Sequence, residues 1–419
     1  MADIAVIGLG RLGLPLALAL ARAGFQVEGV EKDTARFRIL TGGKSPIPEP
    51  GVQDLIVSHK LTLLPRASMA SAPVVFIAVN TPQASVEAMS SPLDLADVRE
   101  AYQEVKAPQR IVAVSSTMPI GGCRQINENL IGFVYNPQFI ALGRAIHNLS
   151  EPDFCLIGAS DRMMGNEIKA IWTHVTNGRP PILMTSIPDA EIAKLTLNMY
   201  LTMKISFSSY LTLLCLARGG NVSEVMRVLL SDGRVDPSYL YPGLGYGGAC
   251  FPKDLHSLTH IENPMPEHLK RLPLAIQVTD EHILVKLHEA VVNYHLEPVS
   301  ILGLSYKPGV PYTEMSKGLR LAELLSKWHL GSPSSFTRVV RCWDPMAKPE
   351  FPEGVLSGSL EECLTGARLA VITTPWPEFE QAPWHLMAEP NVLDCWGMLQ
   401  STQGLHYTRF GDTFREVYV

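Results

Sequence analysis

The 419-residue chain has no concentration of basic residues. Its 35 Lys and Arg stand against 41 Asp and Glu, a formal charge of −6, so a nucleic-acid partner has no electrostatic footing. Seven cysteines are scattered without a CxxC pair or the Cys/His spacing of a zinc site. Neither a disulfide framework nor a metal site is expected, and thiols used this way fit a reducing cytoplasm. The opening MADIAVIGLG has no basic leader, apolar h-region or cleavage site, and is read as having no signal peptide. The one segment that invites a membrane reading, ISFSSYLTLLCLA at 205–217, lies between Lys204 and Arg218; its length suits a buried helix better than a span. Short repeats and low-complexity tracts are missing, and GSPSSFT at 331–337 reads as a surface loop.

What is present is core material: 46% of the residues are hydrophobic and 18% charged, enough for two or three domains. The first half alternates β-rich runs (IAVIGL, QVEGVE, VVFIAV, RIVAVSS, FCLIGA) with helical stretches, which predicts a parallel sheet covered by helices on both faces. From about Asp189 a long apolar helix follows and closes at Gly219-Gly220. A second alternating block, VSILGLSYK, VVRCWDP, LAVITTP and NVLDCW, completes the chain. The expected fold is α/β, two Rossmann-like doubly wound domains joined by a long central helix or helical domain, with boundaries at 1–187, 188–285 and 286–419.

Gly8, Gly10 and Gly13 form GxGxxG after a strand and at the start of a helix, and Glu31 ends the next strand. Such glycines allow a tight turn, approach of backbone to a pyrophosphate and close helix packing, while the helix N-terminus supplies donors to the phosphates. A carboxylate at Glu31 suits the ribose 2′-hydroxyl and repels a 2′-phosphate, favouring NAD over NADP, although Lys32 beside it has the opposite charge. AVNTP at 78–82 and VSSTMP at 114–119 end later strands, where open α/β sheets bind ligands.

The most unusual stretch is GLGYGGACFPKD at 243–254. Four glycines let the backbone run close to a ligand. Pro252 suits the first position of a helix and leaves Cys250 at its N-terminus, where the dipole and Lys253 favour a thiolate nucleophile. Asp254 is available to accept a proton or hold a water. The other cysteines, such as Cys155 and Cys215, sit in apolar runs and read as structural.

Together with AEIAKLTLN, KSPIPEPG, NPQF, GLSYKP and WDP, these motifs run through nearly the whole chain in order, and the chain resembles the UDP-glucose/GDP-mannose 6-dehydrogenase family. The resemblance implies oxidation of the C6 hydroxymethyl of a nucleotide sugar, most simply UDP-glucose, to a carboxylate in two NAD-dependent steps. It implies an NAD-binding domain, a helical dimerisation domain and a C-terminal nucleotide-sugar domain. Cys250 would form a thiohemiacetal and then a thioester, with Lys194 and Asn198 on the oxyanion and Thr117, Asp254 and Gln138 around the hydrolytic water. Arg11 and Leu12 of the glycine turn, with Thr81, Pro82, Ser116 and Thr117, would border the cofactor. Phe139, Tyr239, Gly243, Gly247, Phe251 and Lys307 would border the sugar nucleotide, and Arg234 would reach the substrate of a partner subunit in a homodimer.

Three positions in two stretches depart from the family pattern. Gln138 and Leu142 stand where glutamates are common, and glutamine can hydrogen-bond a water without taking its proton. Glu314 stands where an arginine is usual, an anion near the expected phosphates. Two alternatives follow: a family member with altered chemistry, stopping at partial oxidation or only binding NAD and a sugar nucleotide, and a simple hydroxyacid dehydrogenase. The last has no use for the cysteine motif or a second α/β domain.

Overall fold

A computed structural model describes residues 2–83, 93–261, 266–327, 339–351 and 354–412; the expected loop at 331–337 lies outside the described residues. The chain folds into two compact units, one of Met1–Leu197 with His256–Pro266, the other of Asn198–Leu255 with Glu267–Val419.

The first unit holds eight strands: β1 (Ile4–Ile7), β2 (Val27–Val30), β3 (Thr62–Leu64), β4 (Val74–Ile77), β5 (Ile111–Val114), β6 (Phe133–Tyr135), β7 (Cys155–Ala159) and β8 (Ile182–Thr185). They lie in the order β3-β2-β1-β4-β5-β6-β7-β8. IAVI of β1 is buried throughout, as runs of β-branched residues are when helices cover both faces of a sheet. Alternate residues face opposite ways. Ala5, Ile7, Val75 and Ile77 pack with Val98, Ala101, Tyr102 and Val105 of α4 (Ala96–Val105). Ile4, Val6 and Phe76 pack with Leu14, Leu16, Leu18 and Leu20 of α1 (Gly13–Arg22), and with Ile168 and Trp172 of α7 (Arg162–Val175). Full burial of each such large side chain is worth about 1.5–3 kcal/mol, which sets the faces of these helices.

The expectation of a parallel sheet needs one correction. β6 and β7 pair antiparallel, because β7 starts at the end where β6 stops. Asn136, 1% exposed, ties the two together by donating to the Leu156 carbonyl at 2.8 Å, and NPQF therefore begins where β6 ends.

Helix α8 (Ile187–Arg218) has 32 residues and ends where the Gly220 amide turns back to the Cys215 carbonyl at 3.0 Å, a Schellman-type closure. The second unit takes the rest of α8 from Asn198. It adds α9 (Val222–Leu229), the start of α10 (Phe251–Thr259), α11 (Arg271–Asn293) and five parallel strands. These are β9 (Val299–Leu302), β10 (Val340–Trp343), β11 (Leu369–Ile372), β12 (Asn391–Asp394) and β13 (His406–Arg409), in the order β10-β9-β11-β12-β13. α12 (Lys317–Lys327) packs its Leu321, Ala322 and Leu325 against Ile301, Cys342 and Val371 of this sheet. Both units are doubly wound, so the expected fold class holds.

Candidate active site

In the first unit the sheet order reverses between β1 and β4, and the glycine turn lies there. Gly8 follows β1 at φ +89°, and a Cβ on Gly13 would fall 1.8 Å from the Gly8 carbonyl oxygen. Both glycines are therefore required for strand and helix to meet. A Cβ on Gly10, by contrast, would meet nothing within 4 Å. The turn is a cradle open on the Gly10 side, the form a pyrophosphate needs at a helix N-terminus, and the residues fit a dinucleotide. Arg11 and Leu12 lead into α1, with Leu12 packed on the core.

Glu31, 4% exposed, stands at the end of β2. It accepts from the Leu9 amide at 3.2 Å, the Asp33 amide at 2.9 Å and the Arg36 guanidinium at 3.0 Å, so it braces the turn it was expected to serve as a ribose acceptor. Lys32 points elsewhere: Asp97 and Glu100 hold its ammonium at 2.7 and 2.8 Å and keep its pKa well above the usual lysine value. Those two carboxylates offset the charge that opposed the NAD reading. Thr81 is buried and Pro82 exposed after β4. Ser116, after β5, donates to the Val79 carbonyl at 2.7 Å, and Thr117 next to it is half-buried.

NPQF is organised by Asn136, whose side-chain oxygen accepts from Trp172 Nε1 and Gln138 Nε2 at 2.8 and 2.9 Å. Gln138 also donates to the Asn136 main-chain oxygen at 2.9 Å. A glutamate in this pose would set its oxygens against two acceptors, so glutamine is the residue that the local geometry suits. Leu142 is buried, an apolar filling where a carboxylate is common. Lys194, 7% exposed, donates to the Gln138 carbonyl at 3.1 Å and lies 4.5 Å over the ring of Phe139, whose other neighbour is Phe154 at 4.8 Å. The ammonium is thus desolvated but oriented. Glu191, a turn earlier on α8, accepts from the Gly121 and Cys123 amides at 2.7 and 2.8 Å and fixes α5 (Gly122–Ile126).

In the second unit Cys250 immediately precedes α10, and its carbonyl accepts the Asp254 amide at 2.9 Å, so it occupies the capping position. The helix starts at Phe251, placing Pro252 second rather than first, a one-residue shift within the ordinary fraying of helix ends. Cys250 is exposed, whereas the other six cysteines are buried. Burial pushes the thiols of Cys155 and Cys363 up to about 11, and those of Cys123 and Cys395 well above the ordinary value. Those thiols are held neutral and inert.

One turn into α10, Asp254 is fully buried. Asn198 Nδ2 donates to its Oδ2 at 2.6 Å, while Oδ1 has no hydrogen-bond partner among the described residues. A buried carboxylate oxygen left open is costly unless it serves a ligand or a water.

Phe251 packs edge-on to Tyr239 and Tyr246 at 6.5 and 6.3 Å, and Tyr239 adopts a left-handed φ of +62°. A Cβ on Gly243 would fall 2.4 Å from the Trp396 ring, and one on Gly247 would fall 2.9 Å from the Met315 carbonyl oxygen. These glycines are required by protein neighbours, not only by a ligand. Lys307 stands 5.7 Å over the ring of Tyr306. Arg234 is 89% exposed and bound only to Asp232 among the ion pairs described, at 2.6 Å. Sequence reasoning missed Asp280, Lys317, Trp396 and Asn136; each is a single polar or aromatic residue whose partner is remote in sequence, and of these only Asn136 carried a signal, as part of NPQF.

An open glycine cradle at a sheet switch point, with a carboxylate ending the second strand, is the form of a dinucleotide-binding protein. The particular kind follows from comparison with known proteins. Family models for the UDP-glucose/GDP-mannose dehydrogenases match three segments: the NAD binding domain at 2–176, the central domain at 188–280 and the UDP binding domain at 300–401. The chain belongs to this family, its cofactor is NAD, and it is a nucleotide-sugar dehydrogenase. It is 28% identical over 413 residues to the UDP-glucose 6-dehydrogenase of Pseudomonas aeruginosa, covering 90% of this chain and 88% of that protein. Its fold matches the UDP-D-ManNAc dehydrogenase of Pyrococcus horikoshii at a TM-score of 0.82 and 25% identity, covering 98% and 99% of the two chains. The UDP-glucose dehydrogenase of Pyrobaculum islandicum matches at 0.79 and 27% identity, over 94% of each chain.

Proposed function

We propose that the protein oxidises C6 of a UDP-sugar, UDP-glucose to UDP-glucuronate, through a covalent intermediate on Cys250. The observation that carries this reading is that one cysteine of seven is exposed, caps a helix, and is followed one turn later by a buried aspartate with an open oxygen. NAD+, when bound, accepts the hydride in each of the two oxidations. The Cys250 thiolate adds to the C6 aldehyde, giving a thiohemiacetal, which on the second oxidation becomes a thioester. Lys194 and Asn198, one helical turn apart on α8, neutralise the developing oxyanion. A water then cleaves the thioester, releasing the carboxylate and restoring the thiol.

Asp254 takes the proton of that water on its open oxygen. Gln138, its amide hydrogens committed to Asn136, orients the water through its side-chain oxygen, which accepts a hydrogen bond but is not a base. Thr117 assists in positioning. Gly8, Gly10, Arg11, Leu12, Gly13, Glu31, Thr81, Pro82, Ser116 and Thr117 border NAD. Phe139, Tyr239, Gly243, Gly247, Phe251 and Lys307 border the sugar nucleotide. The functional parts are 1–187 for NAD, 188–285 for the helical middle and 286–419 for the UDP-sugar.

A homodimer accompanies this reading. Tyr200, Phe207, Tyr210 and Leu214 are exposed large apolar residues spaced seven, three and four apart on α8, and Arg234, exposed and paired with Asp232 within its own chain, would exchange that partner for the substrate of a second subunit. Light scattering that returned a strict monomer at micromolar concentration would refute it. Seven free cysteines support a cytoplasmic site of action.

The test is NADH formed per sugar consumed over a panel of UDP-, GDP- and TDP-sugars, combined with intact-mass analysis. Two NADH per UDP-glucose and an unmodified enzyme are expected. One NADH, or an adduct retained on Cys250, would instead establish the second reading, which the glutamine at position 138 favours: an enzyme that stops at an earlier oxidation level.

A further inference from the structure

The loop leading to Cys250 is held by a charge pair for which the chemistry above has no role. Asp280 on α11 is 3% exposed. One of its oxygens accepts from the Tyr246 amide at 2.8 Å, and the other accepts from the ammonium of Lys317, the first residue of α12. A Cβ on Gly245 would stand 2.0 Å from the same carboxylate, so the loop backbone lies directly on it. From the other side, the Gly248 amide donates to the Glu314 carbonyl at 2.8 Å. Residues 245–248 are thereby gripped between α11 and the stretch 314–317, two residues ahead of the thiol.

The charged and titratable groups around Asp280 are few. Lys317 and Arg320 come from α12, Glu281 from α11 itself, and Tyr246 from the loop. Glu281 stands 3.9 Å from Lys317 and 2.7 Å from Arg320, and Lys317 lies 6.0 Å over the Tyr246 ring. Burial pushes the Asp280 carboxyl up to about 6, against the opposing pull of Lys317. Its folded value is thus above its unfolded one, so this group favours the fold below the ordinary carboxylate range. That contribution is lost as pH rises through about 6. An ionised pair kept at such a cost is a poor stabiliser, and what it supplies is position.

We propose that Asp280 and Lys317 are positioning residues whose pairing seats the Cys250 loop for catalysis. The catalytic consequence rests on Cys250 being the nucleophile; the clamp itself rests on the geometry alone. With an amide at position 280, Lys317 faces no counter-charge, and the hold between the loop and the start of α12 is lost.

Hydrogen–deuterium exchange over residues 243–250 tests this without cofactor or substrate. Wild-type exchange is expected to be slow. D280N should exchange roughly tenfold faster and lower kcat by roughly tenfold with KM for NAD unchanged, and K317R should keep the wild-type protection. The double variant D280N/K317M leaves no unpaired buried charge, so it should fold even where D280N does not, and should show the same fast exchange. Wild-type protection in D280N or in the double variant overturns the proposal, as does a wild-type loop that exchanges freely. A wild-type protein that shows the protection but reduces no NAD would support the clamp and refute the dehydrogenase reading.

Discussion

The two glycine turns of this molecule, one in each doubly wound sheet, are built alike and used differently. Gly8 follows β1 and Gly303 follows β9, both at positive φ, and each presents its carbonyl to a helix glycine. A Cβ on Gly13 would fall 1.8 Å from the Gly8 oxygen, and one on Gly318 would fall 2.2 Å from the Gly303 oxygen. In both, a carboxylate after the neighbouring strand takes the amide that follows the first glycine: Glu31 takes Leu9, and Asp344 takes Leu304.

The difference lies in what is left over. Asp344 is fully buried and one oxygen accepts from the Leu304 and Ser305 amides, the Ser305 hydroxyl and Trp376 Nε1. The other accepts from the Met346 and Ala347 amides. It has no capacity for a ligand. Glu31 meets two amides and one arginine, and the Gly10 side of its turn is open. One topology therefore leaves one turn open on the Gly10 side and closes the other as an internal brace. Topology alone did not decide the use; saturation of one carboxylate did.

The largest effect that would break this comparison comes from the helix glycines. Gly13→Ala and Gly318→Ala each drive a methyl into a main-chain oxygen and should cost about 3 kcal/mol or more of stability, read as a lowered urea midpoint. Equal stability of either variant with wild type would remove the structural parallel. Next, Asp344→Asn sets an amide against a cluster of donors and should lose about 2–3 kcal/mol. Glu31→Gln should lose less stability but weaken NAD binding by about tenfold, or ~1.4 kcal/mol, in calorimetry. Comparable loss of NAD affinity in both would mean that the second turn also serves the cofactor. The smallest effect is expected for Lys32→Ala. An exposed pair of this kind contributes about 0–1 kcal/mol, and the preference for NAD over NADP should be unchanged. A gain or loss of NADP use would show that Lys32 takes part in the choice.

Much of this was legible beforehand for a physical reason. β1, β4, β5 and β7 are continuous apolar runs, the usual form of a strand covered on both faces. β3 and β6 have only three residues each and β13 (HYTR) is mixed, so periodicity has little purchase on them. The first glycine turn was legible because its glycines lie within six residues. The second escaped notice because Gly303 and Gly318 are fifteen residues apart in sequence, although they touch in space. Cys250 stood out through its glycines, Pro252 and Lys253, whereas Asp280 in the middle of α11 looked like any helix acid.

By itself, then, the order of residues determined the two doubly wound sheets, the long helix between their motifs, the open glycine turn after β1 and the one cysteine placed apart from six others. These are short-range matters of periodicity, turn chemistry and capping. Only the tertiary structure decided which carboxylates are spent. Glu31 and Asp344 brace turns, Asp280 meets Lys317, and Asp254 keeps one oxygen open, because each outcome depends on partners brought close by packing and on the burial that makes an unmet oxygen costly.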